Sequence, residues 1–284
     1  MPSYFSLWIA TPPGYPHSRC FEEAALALQA SFAELGHDAP IVTDPALIKG
    51  WAVALGANLL PRMSMALPDK LILYNLEQVQ PVSNWFMPEY PALLKRYPVW
   101  DYSRRNIARL KAGGINAALC GVGYMPVLTR IAPAPVCDID VLFVGSLNDR
   151  RKAVLEKIAQ AGKKVKAAFN VYGTERDALI ARAKIVLNLH FYEAQVFEII
   201  RVSYLLANRA CVVSETGQDA ELEAPLRDGV AFAPYDKLTD TCLALLSNDT
   251  ERTRLAGAGF AKFSAMPQTP MLRVALSLSI PSPF

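Results

Sequence analysis

Three things are missing from this sequence, and each absence removes a class of protein. No apolar run is long enough to cross a bilayer. The most apolar stretch, 51–73, is broken by Pro61, Arg62, Pro68, Asp69 and Lys70, short of the roughly 20 apolar residues a spanning helix needs. Contact with a membrane surface stays open. The second absence is of paired cysteines. Cys20, Cys120, Cys137, Cys211 and Cys242 include no C-x-x-C, so neither a zinc site nor a redox pair is signalled. Isolated thiols in odd number, with no basic and then apolar leader at the start, lead us to expect a cytoplasmic protein. Third, there is no dense basic stripe. The net charge is +3 over 284 residues, and Lys163, Lys164 and Lys166 read as a solvated helix end, so no nucleic-acid partner is expected.

What is present is a pattern for folding. Hydrophobic residues make up 52% and charged residues 19%, the balance of a globular chain with one large or two medium cores. Short β-like runs alternate with helical periodicity, as in parallel α/β architecture. In the first half, strands are expected at 4–10, 40–44, 70–76, 97–103 and 116–126. Helices are expected at 19–35, 45–60, 89–96 and from Arg104 to Gly114. Prolines in TRIAPAPVCDI at 128–138 interrupt the periodicity and mark a linker.

The pattern then restarts. Strands are expected at 140–145, 165–173, 185–191, near 211–215 and in VAFAPY. Helices are expected after Asn148, from an N-cap at Thr174 with Asp177 as a weak capping box, and at 194–208, 237–247 and 249–264. The fold class is therefore α/β: two doubly wound, Rossmann-like domains facing a cleft. Residues 1–130 form the first and 138–265 the second, with 266–284 as a tail expected to pack back on the first.

Ligands of open parallel sheets bind beyond the carboxyl ends of the strands. Three positions in the second half qualify. Gly145-Ser146-Leu147-Asn148-Asp149-Arg150-Arg151 follows a strand and opens a helix. There a glycine admits close backbone approach, the helix start offers free N–H groups, and Arg150 or Arg151 can pair a phosphate. It is not a G-x-G-x-x-G, and an ordinary βα turn has the same look. The strand end from Asn188 to Glu193 carries His190 to the mouth of the crevice. In the helix at 194–208, Gln195, Glu198, Arg201 and Val202 share a face. An exposed Glu–Arg pair contributes only ~0–1 kcal/mol, but this helix is apolar nearly all round, and charges on a buried helix need partners. A ribose for Glu198 and a phosphate for Arg201 would supply them.

From Asp140 to Tyr235 the order is FVGS with a following Arg, a VYG strand, IVLNL, a helix with acidic and Arg residues, VV, and VAFAPYD. This tract resembles the nucleotide-binding half of GT-B-fold glycosyltransferases, in particular the bacterial spore-maturation-like group. The resemblance implies a metal-independent hexosyltransferase-like enzyme. It would move a sugar from a nucleotide-diphosphate-sugar to a hydroxyl of a bacterial surface polysaccharide, glycan or glycoconjugate, without a cofactor. It implies diphosphate contacts from Gly145, Ser146 and Arg150, and further donor contacts from Asn148, Tyr172, Gly173, His190, Glu198 and Arg201. One departure stands out. Relatives often carry two glutamates eight residues apart, the second about nine residues before the VV pair. Counting back from Val212 reaches Tyr204 and Val196 instead, whereas Glu198 pairs at that separation with His190.

The first half resembles the acceptor domain more loosely. TPPGYPHS places Gly14 at a tight approach and His17 as a candidate general base, although a loop histidine in a proline-rich turn is equally well structural. Glu77 is a second candidate base. Asn75, Tyr102 and Ser103 are candidate acceptor contacts. Asp138-Ile139-Asp140 is literally D-x-D, but it precedes its strand, away from the crevice, so no metal is expected. Two other functions fit the same residues: a nucleotide-sugar epimerase, and a catalytically degenerate nucleotide- or sugar-binding protein.

Overall fold

The computed structural model describes residues 4–79, 89–191 and 196–280. The chain divides into two compact units. One takes the described residues up to Val127 and from Pro267 onward; the other runs Leu128–Met266.

In the first unit the elements are β1 (Phe5–Ile9), α1 (Glu22–Glu34), β2 (Ile41–Val42), β3 (Trp51–Leu55), β4 (Leu71–Asn75), α2 (Glu89–Leu94), β5 (Val99–Asp101), α3 (Arg104–Ala112) and β6 (Ala117–Leu119). The second unit contains β7 (Ile139–Val144), α4 (Asp149–Gln160), β8 (Val165–Ala168), α5 (Gly173–Ala181), β9 (Ala183–Asn188), α6 (Ile199–Ala207), β10 (Val212–Glu215), α7 (Ala220–Glu223), β11 (Ala231–Ala233), α8 (Leu238–Leu246) and α9 (Asp249–Ser264). The last helix, α10 (Gln268–Ser279), returns to the first unit.

The sheets run β2-β1-β3-β4-β5-β6 and β11-β10-β9-β7-β8, with every pairing parallel. Helices cover such sheets on both faces, which is why FSLWI and LILYN are buried at every position rather than alternating. In each sheet the second strand lies outside the first and the later strands add on the other side. Winding therefore reverses between β1 and β3, and again between β7 and β9. These are the two places where crossovers part and leave a crevice at the strand ends.

One expected helix is wrong. Residues 45–60 contain β3, flanked by 3-10 turns at Pro45–Leu47 and Ala57–Arg62. An apolar run such as WAVAL fits a helix or a buried strand equally by periodicity, and flanking glycines decide. Gly50 (φ +68°) and Gly56 (φ +75°) bracket the strand, and a Cβ on Gly50 would fall 2.0 Å from the Tyr4 carbonyl oxygen. Two helix starts also differ. The residue at the N-cap of α5 is Tyr172, so Thr174 lies inside the first turn, while Asp177 bonds Tyr204 and Arg176 rather than closing a capping box. α6 begins at Ile199 with Glu198 at its N-cap, because the Glu198 carboxylate is engaged elsewhere. Gln195, Tyr192 and Glu193 lie outside the described residues.

The tail helix α10 packs on α1 and β6. It buries Leu272, Ala275 and Leu276, and Trp100 donates its indole N–H to Ser279 Oγ at 2.7 Å. A buried Leu contributes about 1.5–3 kcal/mol. Among the described residues no helix is long and apolar enough to cross a membrane.

Candidate functional site

The reversal between β7 and β9 in the second unit gathers the charged residues. Asn148 caps α4, its Oδ1 accepting from Arg151 N at 2.9 Å, which satisfies a free N–H of the first turn. The first turn of α4 then grips the chain leaving β9 at three successive carbonyls. Arg151 bonds Leu189 O, Arg150 bonds His190 O at 3.2 Å, and Asn148 Nδ2 bonds Phe191 O at 3.1 Å. Gly145 connects the two sides. A Cβ there, at φ +151°, would sit 3.4 Å from the Arg201 guanidinium and 3.6 Å from that of Arg151, so the backbone itself faces both cations.

The three arginines differ in what balances them. Arg150, expected to meet a phosphate, makes a two-pronged pair with the Glu215 carboxylate, one prong at 2.7 Å, and lies 4.0 Å over the Tyr235 ring. The Glu215 contact raises its pKa against the effect of burial. Arg151 is buried and bonds Ser146 O at 2.8 Å, and its Nε has no hydrogen-bond partner among the described residues. Burial, then the Arg201 charge, lower its pKa to about 10. Arg201 donates to Asn188 Oδ1 at 2.8 Å. Among the described residues neither Arg151 nor Arg201 makes an ion pair, so their charge is available to an anion.

Glu198 and His190 meet. The imidazole Nδ1 is 3.0 Å from Glu198 Oε2, and Asn188 Nδ2 donates to the same oxygen at 2.9 Å. Burial pushes the carboxylate pKa up, but the His190 and Arg201 charges and the Asn188 bond leave it below the ordinary value. The eight-residue spacing of the pair is thus a contact, bent around the β9 exit and the start of α6. Glu215 is the residue the sequence reading missed. It is buried, holds Arg150, and accepts from His190 N at 3.1 Å. A carboxylate closing the apolar strand VVSE was the available signal. Ser146 is exposed beside Gly145, while Tyr172 and Gly173 stand beyond β8, the strand next to β7 at the sheet edge.

In the first unit, Gly14 takes φ +71° in the loop after β1, and His17 lies half-buried in the following 3-10 turn with its ring 5.0 Å from Tyr15. Burial raises Glu77 to about 7. Asn75, Tyr102 and Ser103, the expected acceptor contacts, lie at the ends of β4 and β5 and at the start of α3. All three are buried. Asn75 joins Asp101 at 2.6 Å, Glu77 O and Tyr90, and Ser103 caps α3 through Asn106 N. Asn75 thus ties the end of β4 to that of β5, and Ser103 opens α3. In the D-x-D, Asp138 pairs with Arg182 and Asp140 with Lys184 at the amino end of β7. Among the described residues no cluster of His, Cys, Asp and Glu is arranged to hold a metal.

Two parallel sheets with interleaved helices, wound in this way, are the fold of GT-B glycosyltransferases. Solved structures similar to the chain include Anabaena HepE in complex with UDP and glucose, at TM-score 0.64 and 13% identity, covering 98% of this chain and 100% of that one. TarM is similar at TM-score 0.61 and 11% identity, covering 81% of this chain and 54% of that one. So is WaaG, a glycosyltransferase of lipopolysaccharide biosynthesis, at TM-score 0.59 and 11% identity, covering 96% and 99%. By sequence, two uncharacterized proteins of Acanthamoeba polyphaga mimivirus are similar. One is 30% identical over 190 residues, 62% of this chain and 59% of its own length; the other is 26% identical over 204 residues, 66% and 68%. The chain thus spans less than two thirds of the first viral relative. No family model matches.

Proposed function

We propose that this protein transfers a sugar from a nucleotide-diphosphate-sugar to a hydroxyl acceptor, in the manner of the spore-maturation-like glycosyltransferases and without a cofactor. The observation that carries the reading is the Gly145 backbone, faced by two guanidiniums that make no ion pair among the described residues, at the start of α4 and the β7–β9 reversal. A diphosphate brings the matching charge. The site would then stabilise the leaving group, where negative charge builds up in the transition state. Arg201 and Arg151 supply the field, Asn148 and Arg150 hold the loop, and Glu198 is the carboxylate for donor hydroxyls. Neighbouring folds solved with UDP and UDP-glucose support a nucleotide-sugar as partner. His17 and Glu77 are the proposed proton acceptors for the sugar-accepting hydroxyl. The acceptor is proposed to be a bacterial glycan or glycoconjugate, and the location cytoplasmic.

The test is thermal-shift screening with the diphosphates of uridine, guanosine, cytidine and thymidine, repeated on Glu198→Ala and Arg201→Ala. At least one diphosphate should stabilise the native protein, and Arg201→Ala should remove most of that shift. Shifts untouched by both variants would overturn the site. Turnover of the matching nucleotide-sugar separates a transferase from a protein that only binds.

A further inference from the structure

Neither imidazole nitrogen of His190 has a hydrogen-bond partner among the described residues, and only Nδ1 has a charged neighbour, Glu198 Oε2 at 3.0 Å. The His190 side chain is fully buried. A buried polar atom left in this way is costly, so a native fold that keeps one invites a functional reason. The residue is contacted at its backbone and at its ring. Its backbone is held by Arg150 on the carbonyl and Glu215 on the N–H. Its Nδ1 is held by Glu198, which is fixed by Asn188, itself fixed by Arg201 and by Ser214 at 3.0 Å.

We propose that His190 is a catalytic residue of the donor site, its Nε2–H donating a hydrogen bond to the diphosphate that leaves with the nucleotide. This rests on the donor-site reading above. The chemistry follows from the carboxylate. Glu198 only accepts, so Nδ1 carries the proton there, and a second proton turns Nε2 into a cationic donor. The charged groups acting on the ring are Glu198 at the start of α6, Glu215 at the end of β10, Glu223 in α7 and Arg150 in α4. Burial opposes the second proton, but the contact with Glu198 and the charges of Glu198 and Glu215 outweigh it and raise the His190 pKa. Position agrees, since the three carbonyls of Leu189, His190 and Phe191 tie this segment to the α4 start, where the anion is proposed.

In the transfer, the bond between the sugar C1 and the phosphate oxygen breaks and its electron pair goes to that oxygen. The acceptor oxygen forms the new bond to C1, and its proton goes to the proposed base. The imidazolium keeps its own proton and supplies charge and a hydrogen bond to the departing oxygens.

The chain has three histidines, so its imidazole signals can be followed one by one by NMR in the 15N-labelled full chain. His190→Gln assigns the signal. The pH titration is recorded alone, with the best-binding nucleoside diphosphate of the panel, and with the same nucleoside lacking phosphate. The diphosphate should move the His190 titration upward by about one pH unit, and the nucleoside should not. His190→Asn, which keeps a polar group opposite Glu198 but cannot reach as Nε2 does, should weaken the diphosphate about tenfold. It should also flatten the pH dependence of its affinity and leave nucleoside affinity unchanged. A His190 signal unmoved by a diphosphate that does bind overturns this proposal and leaves the donor site standing. Failure of every diphosphate to bind overturns both.

Discussion

Asp101 and Glu77 show what burial does to a single residue. Asp101 is fully buried at the end of β5, and burial lifts it to about 7 against the bonds from Asn75 and the Ser103 N–H that favour its charged form. Glu77 is lifted to about 7 by burial alone. Both folded values lie above the unfolded ones near 4, so the native state holds protons the unfolded chain has released. Their contribution to stability is therefore complete below about pH 4 and is lost as pH rises towards 7. His190, also raised, loses its contribution on the same alkaline side, whereas Glu198, lowered, loses its contribution as pH falls. Chemical denaturation at a series of pH values tests the largest of these effects. Asp101→Asn should make the decline in stability between pH 4 and 7 shallower than in the wild type, and an unchanged slope would remove Asp101 from the account. At this scale the sequence singled out His190 by its place after a strand, and Glu198 and Arg201 as charges on an otherwise apolar helix. It missed Glu215 because a strand-end carboxylate becomes a site only once β10 pairs with β9. Asn75 and Ser103 were singled out for their polarity, which in the fold serves a strand end and a helix cap.

Among the elements, β3 is the instructive one. Its five residues carry no alternation, since both faces are covered, and without alternation a short apolar run has no period to read. The glycines on either side decide it. Gly50 turns the chain back against Tyr4 so that β3 can enter beside β1, where Trp51 N donates to Tyr4 O at 3.1 Å. Gly50→Ala should cost about 1–3 kcal/mol, from a strained φ and a Cβ driven into that carbonyl, and should lower the melting temperature measurably by calorimetry. No loss of stability would mean the strand enters by another path. Helix α6 makes the complementary point. Its apolar face was legible from composition, but its first residue was not. Glu198 looks helical by spacing but stands at the N-cap, its carboxylate against Asn188 and His190, two residues of another segment.

At the scale of the whole molecule, the two units have separate cores, one around Trp8, Leu73 and Tyr90 and the other around Phe143, Leu187 and Val213. If the donor site lies within the second unit, a nucleoside diphosphate should stabilise that unit first. At a hundredfold excess over its dissociation constant it adds about 2.7 kcal/mol. Hydrogen exchange should therefore slow in β7 and β9 and at the start of α4, and change less in β1 and β4. Protection confined to the first unit would relocate the site.

The alternation of β-like and helical runs determined the parallel α/β class and the restart after a proline-broken linker, because burial on both faces writes itself into composition. The run from FVGS to VAFAPYD carried a resemblance to the nucleotide-binding half of GT-B-fold glycosyltransferases. Tertiary structure alone decided which charges remain unbalanced there. Arg150, Arg151 and Arg201 are alike in sequence. Only the pairing of β10 beside β9 brings Glu215 to the first of them and leaves the other two without a carboxylate partner among the described residues.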